Sequence, residues 1–413
     1  MYVVTKQAAA ESATNYNMRT MFQGNHAIRV SLLLFQVTAF LVPWLIVLWL
    51  SFENNISGVA RYSYLLALFS PLALLIASPS RNFLISTNMF SEAQAVGLRY
   101  LLLAVGLILA VIGGGALGML WLAIAVYLSK VAEFFFDIAI ARYIRESKPD
   151  KLLMHGGAKL AAIAVGALIA VVTGDLLITL FALAVLFVLF ALRRNSFYAS
   201  LPAAPYTAVK HILPLSLSAL IFSVYFNIPR YLLGGDHHEG LLAIFTISSF
   251  LLTVLLVVNN AFCQADLHRW SAMLEEGEIS PLKRSLWQAV LRGGLLYAAL
   301  QLFQLPWLSE LFWQAHNNLQ AQNTFYPTVF HAVLALGFGP LLFSIANYLL
   351  ITLKQHKVLL SFTLANALCT GGLCLLAYYQ SGFIAVLVVT CLSGLVHFTL
   401  CYRRFSISLR QAV

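Results

Sequence analysis

The chain has 413 residues, of which 61% are hydrophobic and 10% are charged, and its formal net charge is +10. In soluble globular proteins about a quarter of the residues are charged. This composition therefore excludes a soluble globular protein and indicates a polytopic membrane protein. Within a bilayer the backbone N–H and C=O groups must form hydrogen bonds with one another, so only helices or a closed β-barrel can span it. Long uninterrupted apolar runs, rather than short alternating segments, predict an all-α fold.

Twelve apolar runs of near-spanning length follow one another along the chain, and we predict that each is a transmembrane helix. A helix needs about 20 apolar residues to span the bilayer, and about 17 is the lower limit. Several connections are only a few residues long, as at 113–115 and 173–175. The predicted spans are 29–50, 61–82, 98–113, 116–140, 157–173, 176–192, 211–233, 240–262, 286–308, 329–352, 358–378 and 382–402.

The basic residues predict the orientation of these spans. If the N-terminus is cytoplasmic, all but four of the 25 lysines and arginines fall in inward-facing segments. The exceptions are Arg61 and Arg230 at outward ends and Lys130 and Arg292 within spans. Positive charge concentrates in cytoplasmic loops, so we expect both termini in the cytoplasm. The same rule accounts for the positive net charge without a nucleic-acid partner.

A short internal similarity predicts two halves of six helices each. The stretch S-G-V-A at 57–60 opens the second span, and E-G-L-L at 239–242 opens the eighth. An even number of spans in each half gives a parallel repeat about an axis normal to the membrane. The predicted divisions are a cytoplasmic tail at 1–28, a bundle at 29–195, a cytoplasmic linker at 196–210, a bundle at 211–404 and a tail at 405–413.

The fourth predicted span carries three ionisable residues on one face. Lys130, Glu133 and Asp137 lie at positions i, i+3 and i+7 of a helix. We expect Lys130 and Glu133 to pair directly, which lowers the cost of burying either charge. The face is then either a structural ion pair with an interfacial aspartate, or a polar stripe beside a cavity. In the second case Glu133 and Asp137 form a charge and coupling network.

Arginines in or near other spans are candidate substrate-binding groups. Arg230 lies near the outer end of the seventh span, Arg292 inside the ninth and Arg81 at the inner end of the second. Guanidinium groups bind phosphate bidentately and stay charged when desolvated. Snorkelling is the alternative for Arg230, and a topology signal the alternative for Arg81. The predicted cationic cavity comprises Arg292, Arg230, Lys130, Arg81 and Asn227.

Neither the spans nor their connections carry a pattern typical of a metal site or an enzyme. The five cysteines lack a CxxC pair, and the histidines within spans lack a second ligand at metal spacing. We therefore expect no metal, no cofactor and no catalytic residue. The connection at 265–278 has apolar residues on one face, which predicts an amphipathic helix lying on the inner membrane surface.

Three stretches carry a resemblance to a known family. They are N-I-P-R-Y at 227–231 with E-G at 239–240, the helix end from Lys130 to Asp137, and N-N-A-F at 259–262. Over residues 29–404 the chain resembles the bacterial polysaccharide-repeat-unit flippases, the O-antigen and capsule exporters of the multidrug/oligosaccharidyl-lipid/polysaccharide superfamily. We expect twelve helices, without the thirteenth and fourteenth helices of some lipid-precursor flippases.

The resemblance implies both an architecture and a substrate. The two six-helix bundles would form a V around a central cavity that opens alternately to either side of the bacterial inner membrane. The substrate would be an undecaprenyl-pyrophosphate-linked oligosaccharide, such as an O-antigen, common-antigen or capsule repeat unit, flipped from the cytoplasmic to the periplasmic leaflet. Protons or Na⁺ are candidate coupling ions. Membrane lipids and other polysaccharide-assembly proteins are further candidate partners.

Two other functions stay open. A cation-coupled drug or small-molecule antiporter of the same superfamily would favour acidic residues deep in the first span and a smaller cationic excess. A membrane-embedded enzyme of polysaccharide assembly would need a catalytic loop, whereas the outward connection at 309–328 offers only Glu310 and His316. We therefore expect a transporter and not an enzyme.

Overall fold

Helices account for nearly all of the structure. The computed structural model describes residues 27–38, 41–86, 92–135, 138–194, 206–234, 238–315 and 325–411, and these contain no strand. The helices are α1 (Ala27–Phe52), α2 (Ile56–Ser86), α3 (Glu92–Ala116), α4 (Leu120–Phe135), α5 (Ile138–Arg145), α6 (Pro149–Thr173), α7 (Leu176–Arg194), α8 (Tyr206–Leu232), α9 (Glu239–Glu275), α10 (Ile279–Gln301), α11 (Pro306–Ala315), α12 (Phe325–Leu336), α13 (Phe338–Thr352), α14 (His356–Ser381) and α15 (Phe383–Gln411).

Eight segments in the described ranges are long and apolar enough to cross a membrane. They lie in α1, α2, α6, α8, α9, α12 with α13, α14 and α15, and shorter apolar helices occur in α3 and α7. Each of the twelve predicted spans overlaps one of these helices, or α4 with α5, or α10. The predicted all-α, multi-pass membrane fold is therefore confirmed.

Local sequence signals set the boundary between α6 and α7. Pro149 occupies the first turn of α6, where its missing N–H group costs no hydrogen bond. The helix ends at Gly174, whose φ of 63° lies in the left-handed region that glycine adopts without strain. The carboxylate of Asp175 then accepts hydrogen bonds from the N–H groups of Leu177 (2.7 Å) and Ile178 (3.0 Å). These hydrogen bonds pair backbone N–H groups in the first turn of α7, which have no partner within that helix.

Two element boundaries differ from the sequence-based expectation. The amphipathic surface helix expected at 265–278 is wrong, because α9 continues without a break as far as Glu275. Its apolar face packs on α10 instead of lipid: Trp270 is fully buried and its Nε1 donates a hydrogen bond to Ser285 Oγ at 2.9 Å. The predicted ninth span also ended too late, since α10 ends at Gln301.

The two halves of the chain meet along α2, which packs on both α8 and α9. In the first half α4 packs on α3 and α7, and α6 packs on α7. In the second half α15 packs on α13 and α14, and α14 packs on α8. The division into bundles at 29–195 and 211–404 stays a prediction.

The ends of the bundle differ in charge. We call one of them the basic end, because the turns and helix ends found there carry Arg142, Lys148, Lys354 and Arg403. The other, called the opposite end, holds the turns after α1, α3, α6 and α8. Cytoplasmic placement of the basic end follows from the charge rule and stays a prediction.

Candidate functional site

A cavity of about 320 Å³ lies between the two halves. It is walled by α1, α2, α4 and α6 of the first half and by α8, α9 and α13 of the second. The ionisable side chains that line it, within the described ranges, are Arg81, Lys130, Glu133, Lys159 and Arg230. The other lining residues are Gln36, Pro43, Ser63, Leu66, Ala67, Ser70, Ala73, Leu74, Phe222, Ser223, Phe226, Asn227, Phe250, Thr253, Leu256, Val257, Asn260, Gln264 and Tyr348.

Glu133 stands between two lysines at one wall of this cavity. Its carboxylate lies 3.1 Å from the Nζ of Lys130 and 2.7 Å from the Nζ of Lys159. Lys130 and Glu133 are one turn apart on α4, so the expected pair is confirmed. Lys159 comes from α6, and its ammonium group also lies over the ring of Phe35, 4.8 Å from the centroid. This cluster, here called the lysine–glutamate triad, carries a formal charge of +1.

Arg230 is held in place by uncharged partners. Its Nη1 donates to Asn227 Oδ1 and its Nη2 to Ser249 Oγ, both at 2.6 Å, and the guanidinium lies over the ring of Phe245. The side chain is 7% exposed, so its charge is largely removed from water. No carboxylate of the described residues forms an ion pair with it. Because a buried charge without a counter-ion is costly, this arginine is suited to an anionic ligand.

Arg81 and Asn227 also line this cavity. Arg81 is buried on α2 (5% exposed) and Asn227 is buried on α8, where its Nδ2 donates to the carbonyl oxygen of Ser223. Together with Lys130 and Arg230 they are the predicted cationic-cavity residues that the structure brings to one place.

Arg292 is located elsewhere, at an ion-pair cluster near the basic end. Its Nη2 lies 2.8 Å from Asp266 Oδ2, and its guanidinium lies over the ring of Phe262. The other oxygen of Asp266 accepts hydrogen bonds from Arg29 of α1, one of them from Nε at 3.0 Å. Asp266 therefore joins both halves. Arg292 does not occur among the described residues that line the cavity, so its predicted contact with substrate stays a prediction.

Sequence reasoning missed Lys159 and Asp266, and Asp137 lies outside the described residues. The charge rule counts Lys159 among the basic residues of the inward-facing segments, although the apolar run L-A-A-I-A-V-G-A-L follows it. A lone lysine that opens such a run needs a buried partner, which was the available signal. Asp266 was assigned to a surface helix, so its position on a continuous α9 was not foreseen. Ser249, which holds Arg230, carried no signal.

Known structures show the same fold. Outward-facing MATE, a multidrug resistance transporter of the MOP superfamily, superposes with a TM-score of 0.62 at 14% identity, covering 94% of this chain and 97% of that one. The Vibrio cholerae MATE transporter VcmN gives 0.57 at 16% identity, covering 97% and 98%. The chain has the fold of the MATE transporters. No known protein-family profile matches the sequence, and no curated protein sequence matches it.

A further neighbour is described by the polarity of its binding pocket. A MOP superfamily transporter from Pyrococcus furiosus, described as having reverse polarity of its binding pocket that suggests a different function, has a TM-score of 0.62 at 13% identity, covering 94% of this chain and 96% of that one. In this protein, four cationic side chains and one carboxylate line the described part of the central cavity. Cationic side chains therefore outnumber carboxylates among the described residues that line this cavity.

Proposed function

We propose that this protein flips an anionic, lipid-linked oligosaccharide across the bacterial inner membrane by alternating access. The observation that carries the proposal is the charge of the described lining of the central cavity, which includes the cationic side chains of Arg81, Lys130, Lys159 and Arg230 and one carboxylate, that of Glu133. An excess of cationic over anionic side chains among the described lining residues attracts an anion and repels a cationic drug.

The chemistry of the cavity suits a polyprenyl-pyrophosphate glycan. Pyrophosphate is the anionic group, and Arg230 offers a desolvated guanidinium without a described counter-ion to bind it. Amide and hydroxyl side chains, among them Gln36, Asn260 and Gln264, can hydrogen-bond to sugar hydroxyls. The polyprenyl chain itself needs no site in the cavity, since it can stay in the bilayer while the headgroup crosses.

The size of the cavity supports a moving rather than a rigid site. About 320 Å³ is at the lower limit for drug-sized ligands. A sugar repeat unit is larger, so the two halves must separate to admit it. Loops and domains that open on one side of a bound substrate, on microsecond to millisecond timescales, are the usual means. We place the coupling to protons or Na⁺ at Asp137, and we infer that other polysaccharide-assembly proteins deliver and receive the substrate.

A flipping assay in proteoliposomes tests the proposal. Purified protein is reconstituted with a fluorescent undecaprenyl-pyrophosphate glycan, and an impermeant quencher is added outside. Loss of the inner-leaflet fluorescence, which the quencher reaches only after the lipid has crossed, reports flipping. Arg230→Ala is expected to reduce the rate by at least about tenfold, because a charged hydrogen-bonding group is lost. Arg230→Lys is expected to recover part of the rate, since it keeps the charge without the bidentate geometry. Arg61→Ala, which removes an exposed arginine near the same, opposite end of the protein, is the matched control.

The second candidate is a cation-coupled drug antiporter. It is favoured by the fold neighbours described as multidrug transporters and by the many apolar cavity residues, including Phe222, Phe226 and Phe250. The same liposomes separate the two candidates if they are loaded with a cationic dye. Dye efflux that depends on Glu133, without glycan flipping, would establish the antiporter and overturn the flippase.

A further inference from the structure

A second cleft, separate from the central cavity, opens on the outside of the second half near the basic end. Its volume is about 300 Å³, and it lies between α10 and α15 over Leu349 of α13. None of its lining residues is shared with the central cavity. It is therefore outside the proposed transport path.

The walls of this cleft are apolar and aromatic. Leu286, Val290 and Leu349 form its apolar part, and Phe398 stacks on Tyr402 with ring centroids 6.1 Å apart. Trp287 is 55% exposed and Tyr402 is 48% exposed, so both rings face the surroundings of the bundle. Tryptophan and tyrosine are enriched where a membrane protein meets the lipid headgroups.

One end of the cleft is positively charged. Lys283 and Arg284 lie in the second turn of α10, are exposed and line the cleft together with the hydroxyl of Ser406. Neither of the two basic residues has an ion-pair partner among the described residues. Arg403, next to Tyr402, is also exposed and adds positive charge to this side. The acidic residues Glu276 and Glu278 lie in the turn before α10 and do not line the cleft.

We propose that this cleft binds an anionic phospholipid, with its phosphate between Lys283 and Arg284 and an acyl chain along Trp287 and Leu349. The cleft provides a binding surface for each part of such a ligand: a basic pair for the headgroup and an apolar groove for the acyl chain. Basic pockets between helices on the more positively charged side of a membrane protein bind anionic lipids by this chemistry. The site goes beyond the proposed flipping function and does not depend on it.

Lipid titration tests the headgroup contact. The full-length protein in nanodiscs of phosphatidylcholine is titrated with phosphatidylglycerol, and bound lipid is counted by native mass spectrometry. Lys283→Ala/Arg284→Ala is expected to weaken binding about thirtyfold, since each basic residue near an anionic surface contributes about fivefold. Lys151→Ala/Lys357→Ala, which removes two exposed basic residues at the same end, is expected to have little effect. Equal weakening by both pairs would show a general surface attraction and overturn the site.

Two further arms identify the occupant. Undecaprenyl phosphate or inorganic phosphate is added as a competitor of bound phosphatidylglycerol. Displacement of phosphatidylglycerol by either compound at a lower concentration than by unlabelled phosphatidylglycerol would overturn the assignment to a phospholipid. Quenching of tryptophan fluorescence by brominated acyl chains locates the bound acyl chain in a protein whose charges are unchanged. Phosphatidylglycerol is expected to quench more than phosphatidylcholine, and Trp287→Phe should abolish that difference while Trp121→Phe, also highly exposed, should not. An unchanged difference in Trp287→Phe would refute the proposed position.

Discussion

Ser57 donates a hydrogen bond to the carboxylate of Glu239 at 3.0 Å, across the junction between the two halves. Ser57 lies in the first turn of α2 and Glu239 is the first residue of α9. The internal similarity in the sequence had placed these two residues at equivalent positions. In the predicted twofold repeat, equivalent residues touch only close to the axis, so the prediction puts the axis near this contact at the opposite end of the bundle. Tyr231 adds a second bridge there, donating to the carbonyl oxygen of Ala67 at 2.7 Å.

A cross-link at this contact should arrest transport. In a variant without native cysteines, Ser57→Cys/Glu239→Cys treated with a short thiol cross-linker is expected to lose flipping activity, because the opposite end can no longer open. Reduction of a cleavable cross-linker should restore the activity. Each single-cysteine variant, treated in the same way, is the control. Undiminished flipping after complete cross-linking would show that the halves do not separate at this end.

Removal of Asp266 should open the basic end. Asp266→Ala deprives Arg29 and Arg292 of their shared carboxylate, whereas Arg29→Ala leaves the Asp266–Arg292 pair intact. We expect a cysteine at Ser70, in the cavity, to react faster from the basic end with an impermeant thiol reagent in the Asp266 variant. The increase should be larger than in Arg29→Ala. Lys354→Ala, which breaks an exposed pair with Glu275 at the same end, serves as control.

The same measurement decides the role of Arg292. If Arg292 contacts the substrate, Arg292→Ala lowers flipping without changing the accessibility of the Ser70 cysteine, and Arg292→Lys recovers the rate in part. If its role is limited to Asp266, both variants alter the accessibility and the flipping rate in parallel.

Within the lysine–glutamate triad, Glu133 should be the most sensitive member. Glu133→Ala leaves the buried ammonium group of Lys159 and the partly buried one of Lys130 without their shared carboxylate, whereas Lys130→Ala leaves the Glu133–Lys159 pair at 2.7 Å. Breaking a buried pair costs about 3–5 kcal/mol, so Glu133→Ala is expected to lower the thermal unfolding midpoint far more than Lys130→Ala. The double change Glu133→Ala/Lys159→Ala should recover part of the loss. Equal effects of the two single changes in a detergent melting assay would contradict the triad.

Asp137 is predicted to couple transport to an ion gradient. Asp137→Asn mimics the protonated carboxyl group, so we expect the protein to fold and bind the glycan lipid but to lose the dependence of flipping on an imposed pH gradient. Asp150→Asn, an exposed position at the start of α6, should behave like the unaltered protein. Normal, gradient-dependent flipping by the Asp137 variant would remove this residue from the coupling mechanism.

Hydrophobicity and charge predicted the helices well and the contacts between them poorly. The bilayer requirement acts on each span separately, so twelve apolar runs could be located from the sequence alone. Lys130 and Glu133 were paired correctly because their spacing lies within one helix. Lys159, Asp266 and Ser249 act on partners in other helices. Their contacts depend on how the helices pack, which spacing along the chain does not encode.

The unbroken course of α9 has a mechanical consequence. Its 37 residues make a rod about 55 Å long at 1.5 Å per residue. Glu239 stands at one tip, and Asp266 lies about 40 Å further along by the same rise. A tilt of about 10° about the first contact would displace the second by roughly 7 Å, more than twice the length of a hydrogen bond. Rigid rotation of a single rod can therefore keep one end of the junction engaged while it parts the other.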